Sequence, residues 1–293
     1  MGLVPVRWLQ GNYMKQIIDA HCHMFTAGIA KTMGMDLAKV PPAMQSMGKY
    51  SIQDHTQAWL KAMDENGVQK AVFIATAKLA PDFIAFVQSS NRFVGLAKAI
   101  PTQDDAIETL KKELQWGAKG VKIYATNDSV DVGSGKAWPF YAFCQENNIP
   151  IVIHFGVTIG QKSDLCMGNP LRLSRVLKEF PKLNFIIAHF GAGFFREVLM
   201  LKYKQDNLYV DTSGTNNWLP HQDNFLTLKD IFKKTLEVFG PERVIFGTDT
   251  RIFPDGYRTH ILQQQVEILD ELQVSQTDKE NIMAGNAKRV FNI

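Results

Sequence analysis

Ile17-Ile18-Asp19-Ala20-His21-Cys22-His23 is an apolar run that ends in two histidines one residue apart. In a β-strand alternate side chains share a face, so the spacing predicts that His21 and His23 project together from the strand's carboxyl end. Two imidazoles so placed can grip one metal ion. Taken alone, the pattern fits a strand end with two surface histidines equally well. Three further runs tip the balance: Ile151-Val152-Ile153-His154, Phe185-Ile186-Ile187-Ala188-His189 and Val244-Ile245-Phe246-Gly247-Thr248-Asp249 are also strand-like and also end in a candidate ligand. Scattered histidines have no reason to keep choosing the same end of the same kind of element.

Strand patterns recur at 71–75, 93–100, 120–124, 149–154, 183–189, 208–211 and 244–249, with helical patterns between them at 104–116, 138–147, 170–180 and 226–239. With the run at Ile17 this makes eight strand-then-helix units. Such alternation implies right-handed crossovers and a parallel sheet, and eight units in 293 residues favour a single α/β domain, the closed (β/α)₈ TIM barrel, over an open doubly wound sheet. No Gly-x-Gly-x-x-Gly follows the first strand, which removes the main support for dinucleotide binding. The barrel is expected over 14–293, with 1–13 as an N-terminal extension and an additional C-terminal helix at 277–291 closing the outer ring.

The connection after the first strand, 24–50, is long and holds five of the eleven methionines with the Pro41-Pro42 pair. It reads either as a lid with an adaptable thioether wall or as a short helix on the rim. A helix is then expected at 51–66, with Ser51 and Asp54 as a cap signature and Gly67 as its end. His55, in its first two turns, is expected at the surface or in the cap rather than on a metal.

At 45% hydrophobic and 21% charged the composition is that of an ordinary globular protein. A formal charge of +3 with lysines spread among acidic residues offers no track for nucleic acid. Cys22, Cys144 and Cys166 are odd in number and lack paired spacing, which fits a reducing compartment, and the cytoplasm is expected. The first thirteen residues do not read as a secretory signal, and no run reaches membrane-spanning length.

In a barrel of this kind active sites gather at the carboxyl ends of the strands, where every candidate ligand lies. Imidazoles with a carboxylate suit Zn²⁺, with Mn²⁺, Fe²⁺ or Co²⁺ accepted in similar geometry. A divalent ion lowers the pKa of a bound water from ~15.7 towards ~7. Asp249 is suited to take that water's proton and deliver it to a leaving group. Cys22, between the two histidines, is expected on the opposite face, in the core. Asp19 shares their parity one step deeper, where it would orient a ligand or be a satisfied buried carboxylate.

These residues resemble the amidohydrolase superfamily, within it the amidohydrolase-related branch of metal-dependent hydrolases and decarboxylases. The resemblance runs through Asp19-Ala20-His21-Cys22-His23, Gly120-Val121-Lys122-Ile123-Tyr124, Ile153-His154-Phe155-Gly156, Ala188-His189-Phe190-Gly191, Phe246-Gly247-Thr248-Asp249 and 285–291, in that order. It implies that His21, His23, His154 and Asp249 bind a single divalent ion. It also implies that His189 meets the substrate or its water as electrophile or hydrogen-bond donor. Lys122 should face inward in line with Tyr124 and anchor a substrate carboxylate. Some members instead carboxylate such a lysine to bridge two metals, and a lysine that merely snorkels to the rim is the plain alternative. Arg251, and Asn216, Asn217 and Trp218 after the seventh strand, either reach a small polar substrate or face solvent.

The expected activity is hydrolysis of a small amide, ester or lactone bearing a carboxylate. Its rival is non-oxidative decarboxylation of a small unsaturated or aromatic acid. A TatD-type nuclease would want a carboxylate at the fourth strand and Glu-Thr-Asp at the eighth, where this chain has Lys122 and Gly247-Thr248-Asp249. A non-enzymatic metal-binding barrel is disfavoured because no ligand position holds an inert residue. The expected partner is a small molecule, with neither nucleic acid nor membrane, and a homodimer is compatible with the sequence.

Overall fold

The computed structural model describes residues 16–40, 42–158, 163–203, 206–222 and 226–293; the expected extension at 1–13 lies outside them. Nine parallel strands form one sheet: β1 (Ile17–His23), β2 (Val68–Ile74), β3 (Phe93–Lys98), β4 (Val121–Tyr124), β5 (Ile151–His154), β6 (Phe185–Ile187), β7 (Leu208–Asp211), β8 (Val244–Ile245) and β9 (Thr250–Arg251). Their order is β8-β7-β6-β5-β4-β3-β2-β1-β9. The two ends of that order are separated in the chain only by residues 246–249. The Ala20 amide bonds the Phe246 carbonyl at 3.0 Å and the Asp249 amide bonds the His21 carbonyl at 2.8 Å, so the sheet curls until its ends meet. The last expected strand is thus split in two around the residues that carry Asp249.

Helices connect the strands: α1 (Ala27–Thr32), α2 (Pro42–Met47) and α3 (Ile52–Glu65) between β1 and β2, then α4 (Pro81–Gln88), α5 (Ala106–Gln115), α6 (Trp138–Glu146), α7 (Ser174–Glu179), α8 (Phe195–Lys202), α9 (Leu228–Phe239) and α10 (Thr259–Glu271). Both faces of the sheet are apolar, as a parallel sheet requires. Val121, Ile123, Ile151, Ile153, Phe185 and Ile187 face the helices. Ile18, Ala20, Val72, Ile74, Val94, Leu96, Val152, Ile186 and Ile245 form a separate inner cluster. Among the described residues no helix is long and apolar enough to cross a membrane.

The expected C-terminal helix is three consecutive pieces, α11 (Gln276–Glu280), a π-turn (Asn281–Gly285) and α12 (Asn286–Phe291). It does not sit on the outer ring alone, because Ala284, Ala287, Val290 and Phe291 join the inner cluster. The Asn286 amide donates to the carbonyls of Pro241 and Val244 at 2.7 and 2.6 Å, which fixes the piece at the amino end of β8.

His55 departs from expectation. Ser51 and Asp54 fill the α3 cap reciprocally, and His55 is buried, 2% exposed. Its Nε2 lies 2.9 Å from the Phe25 carbonyl and its ring stands edge-on to Phe253. Cys22 is buried on the helix side beside Trp59 and Phe73, as its parity with the two histidines implies.

Candidate metal centre

The pairing of β1 with β2 sets Asp19 opposite Ala71 and Cys22 opposite Phe73, so Ala20 and His21 together face the single residue Val72. Two residues against one is a β-bulge, and it shifts the alternation by one. Ala20 therefore packs inside, and His21 and His23 still point inward above it. By the same shift Asp19 faces outward, away from the two rings, and of its two readings it takes that of a satisfied buried carboxylate. There it accepts from the Thr248 amide at 3.0 Å, the Thr248 hydroxyl at 2.5 Å and the Tyr257 hydroxyl at 2.9 Å, holding the turn that carries Asp249. Burial raises its pKa, against the pull of those bonds.

Hydrogen-bond partners assign the protons on the two histidines. His21 Nδ1 lies 2.8 Å from Asp211 Oδ2, an acceptor, so Nδ1 carries the hydrogen and Nε2 the lone pair. That Nε2 is buried without a partner among the described residues. Burial, helped by the Lys122 charge, lowers the His21 pKa to about 3, so the ring is neutral. His23 presents Nδ1 to the Ile74 carbonyl at 3.3 Å and Nε2 to Asp249 Oδ1 at 3.1 Å. Both partners are acceptors, while a ring that burial keeps neutral has one proton to give. For Asp249, burial pushes upward, but the hydrogen bond with His23 outweighs it and holds the group well below the usual carboxylate range. Two neutral imidazoles and a carboxylate converge, their ligand atoms within 4.8 Å of one another. The unmatched His21 lone pair and the doubly accepting environment of His23 are what a divalent cation would satisfy, and the donor set fits one.

His189 follows β6 in the left-handed region, φ 56°, and its amide donates to Asp211 Oδ1 at 3.0 Å. Its Nδ1 is 3.0 Å from the Ser213 carbonyl, which can only accept, so Nε2 bears the lone pair. In that state the ring accepts a proton. The donor role expected of it requires a second one. Its ring lies 4.7 Å from that of His21 and 5.0 Å from that of His154.

His154 stands apart from the close set. Its Nε2 points at the Val157 carbonyl, 3.2 Å away, which leaves Nδ1 as its free lone pair. The loop after it closes tightly on the turn after β6: a Cβ on Gly156, at φ +76°, would meet the Ala192 carbonyl oxygen at 2.1 Å. Only glycine fits there.

Lys122 points inward as expected and is fully buried, with Nζ unpartnered among the described residues and 5.3 Å from the Tyr124 ring. Burial lowers its pKa to about 8, against the pull of Asp211 and Asp249. Tyr124 is tied by its hydroxyl to the Ala75 carbonyl at 3.3 Å. Arg251 is exposed, in register with His23 on β9, and Asn217 is exposed too. Asn216 is buried with Oδ1 unpartnered among the described residues, whereas Trp218 turns into the helix-side core near Phe195.

Asp211 has no place in the expected site, yet it is its hub. It is buried and accepts from His21, from the His189 amide, and from the Ser213 amide and hydroxyl at 3.1 and 2.5 Å. Burial raises its pKa, but the hydrogen bond from His21 Nδ1, with the Lys122 charge, outweighs it and keeps it ionised. The signal was present: 208–211 is one more apolar run ending in a ligand-type side chain.

A curled parallel sheet that gathers histidines and carboxylates at its carboxyl ends is an α/β scaffold built around a candidate metal centre. The chain belongs to the amidohydrolase family, whose model matches residues 18–293. That superfamily consists of metal-dependent enzymes, hydrolases and decarboxylases among them. A 2-keto-4-carboxy-3-hexenedioate hydratase of Sphingobium sp. is 26% identical over 174 residues, 53% of this chain and 49% of the relative, so the match spans about half of that protein. Solved structures share the fold over nearly the whole chain. A zinc-bound amidohydrolase from Burkholderia multivorans has a TM-score of 0.68 at 14% identity, covering 95% of this chain and 99% of the other. A probable 2-pyrone-4,6-dicarboxylic acid hydrolase from Acinetobacter baumannii gives 0.65 at 15%, covering 95% and 100%. A manganese-bound dihydroxybenzoic acid decarboxylase from Polaromonas sp. gives 0.68 at 19%, covering 95% and 97%.

Proposed function

We propose that the protein is a metal-dependent hydrolase of a small amide, ester or lactone that carries a carboxylate. The observation that carries this reading is the convergence of His21 Nε2, His23 Nε2 and Asp249 Oδ1, lone pairs without enough protons between them, beside the Lys122 ammonium, which is unpaired among the described residues. In this reading one divalent ion, Zn²⁺ before Mn²⁺, Fe²⁺ or Co²⁺, is held by His21, His23 and Asp249, with the Nδ1 of His154 as the fourth donor. The sheet is read as the closed barrel, β8 and β9 being the halves of its eighth strand. The protein would work in the cytoplasm on a small molecule.

A divalent ion held by His21, His23 and Asp249 would supply Lewis acidity for acidifying a water and polarising a carbonyl. Asp249, held as a carboxylate, takes a proton from the attacking water and returns it to the leaving group. Asp211 keeps the His21 proton on Nδ1, so Nε2 stays a ligand. Lys122, desolvated and unpaired, binds the substrate carboxylate, with the Tyr124 ring as wall and Arg251 at the rim. His189, with Nδ1 on the Ser213 carbonyl, presents Nε2 to the substrate, and a proton taken there lets the ring polarise the carbonyl.

The test is metal analysis of the purified protein, then turnover of lactones, amides, esters and carboxylated aromatics in ¹⁸O-labelled water. About one ion per chain and label in the product support hydrolysis. Carbon dioxide released without label makes the protein a decarboxylase.

A further inference from the structure

Asp249 lies in the left-handed region, φ 57°, between Thr248 and Thr250. A residue with a Cβ stays there only when its surroundings hold it. Asp19 grips Thr248 from one side, as described above. From the other, Thr250 Oγ1 sits 2.6 Å from Thr248 Oγ1 and accepts the Arg258 amide at 3.2 Å. The Arg258 side chain then reaches back over the turn, with Nη1 3.4 Å from the Thr248 carbonyl and 3.3 Å from Asp249 Oδ2. The other carboxylate oxygen, Oδ1, faces His23 at 3.1 Å and His21 at 4.0 Å. The segment that brings Arg258 here is anchored twice more, by the Tyr257 hydroxyl on Asp19 at 2.9 Å and by the Phe253 ring stacked on Tyr50 with centroids 3.6 Å apart.

We propose that Arg258 is a positioning residue that divides the Asp249 carboxylate, keeping Oδ2 on the guanidinium and leaving Oδ1 for the ion. This rests on the role given to Asp249 above. A guanidinium suits the task, because its Nη1 alone meets a carbonyl and a carboxylate oxygen and the group stays charged at every relevant pH. Without it the carboxylate can turn both oxygens to the ion, which tightens binding and removes the free oxygen that a proton acceptor needs. A merely structural Arg258 predicts the opposite sign, since a loosened Asp249 weakens the site.

Zinc affinity, measured by competition with a chromophoric chelator, and the visible absorption of the cobalt(II)-loaded protein distinguish the two. Arg258 is partly exposed, so Arg258→Met should fold, and Arg258→Lys provides a second variant that keeps the charge. The expectation is that R258M binds zinc about tenfold more tightly than the parent, because a cation beside the ligand is removed and the second oxygen is freed, and that its cobalt bands weaken as the coordination number rises, with R258K between. Unchanged or weakened zinc affinity in R258M, or tighter binding with an unchanged cobalt spectrum, overturns the proposal. Asp249→Ala is the control on its foundation: a parent that binds no zinc, or a D249A protein that binds it as the parent does, removes the role of Asp249 and the Arg258 proposal with it.

Discussion

Replacing Asp211 by Asn changes one atom, and the structure says where the change must fall. Asp211 Oδ1 accepts three donors, the His189 amide, the Ser213 amide and the Ser213 hydroxyl, at 3.0, 3.1 and 2.5 Å. An asparagine must keep its oxygen there, which puts its NH₂ where Oδ2 stood, 2.8 Å from His21 Nδ1. Two N–H groups cannot face each other, so the His21 proton moves to Nε2 and occupies the lone pair meant for the metal. Loss of a carboxylate behind a ligating histidine typically costs 10–100-fold in metal affinity, about 1.4–2.7 kcal/mol, and the inverted tautomer places D211N at the upper end. The metal-free fold should also lose ~1–3 kcal/mol, because the proton moved to the buried His21 Nε2 has no acceptor within hydrogen-bond distance, Asp249 Oδ1 being 4.0 Å away. Zinc competition titration with urea unfolding of the metal-free protein measures both. If D211N binds zinc within threefold of the parent, His21 does not ligate through Nε2.

Two further predictions concern buried side chains. Lys122 titrates at its ordinary 10.5 in the unfolded chain and at about 8 in the fold, so between these pH values the unfolded chain holds a proton that the folded one lacks. The metal-free protein should therefore gain stability, by ~3 kcal/mol at most, as pH rises from about 8 to 10.5, with the penalty of the buried charge constant below that window. Urea titrations across the range should show the rise, and Lys122→Met should flatten it; a parent curve as flat as the variant's counts against the buried ammonium. Cutting His55 to Ala removes a ring from an aromatic cluster and a donor from the Phe25 carbonyl, and should cost ~2–4 kcal/mol with zinc affinity kept. A loss under ~0.5 kcal/mol would mean that His55 is not packed as described.

The strand ends were legible because two periodicities alternate cleanly along the chain and a ligand-type residue closes most of the short-period runs. His55 was legible as well and was misplaced. It shares its spacing with Trp59, Ala62 and Met63, four, seven and eight residues on, and all of them are buried on one stripe of α3. A histidine in that phase belongs to the core whatever its polarity. Asp211 satisfies the strand-end rule that picked out His154 and Asp249, but its role depends on a contact with His21, 190 residues away, that no local pattern carries. Arg258 had no signal of any kind. It lies in an irregular segment whose path is set by three separate tethers.

The bulge in β1 shows why the residues of the first motif cannot be assigned by counting alone. Ile18 and Ala20 pack in the inner cluster, so strict alternation would carry Cys22 inside and turn His21 and His23 to the helices. The apolar floor and the ligands above it have opposite parity in the sequence, and one extra residue reconciles them: Ala20 and His21 share the single partner Val72. That extra residue also decides where Asp19 goes. Facing outward, it meets Thr248 and Tyr257 and closes the seam between β1 and the split eighth strand. A glycine at 247 lets the two approach, since a Cβ there would stand 2.9 Å from His21 Cβ. The same local irregularity thus turns two imidazoles inward and fastens the carboxylate opposite them, which is why His21, His23 and Asp249 meet across the seam between the first strand and the last.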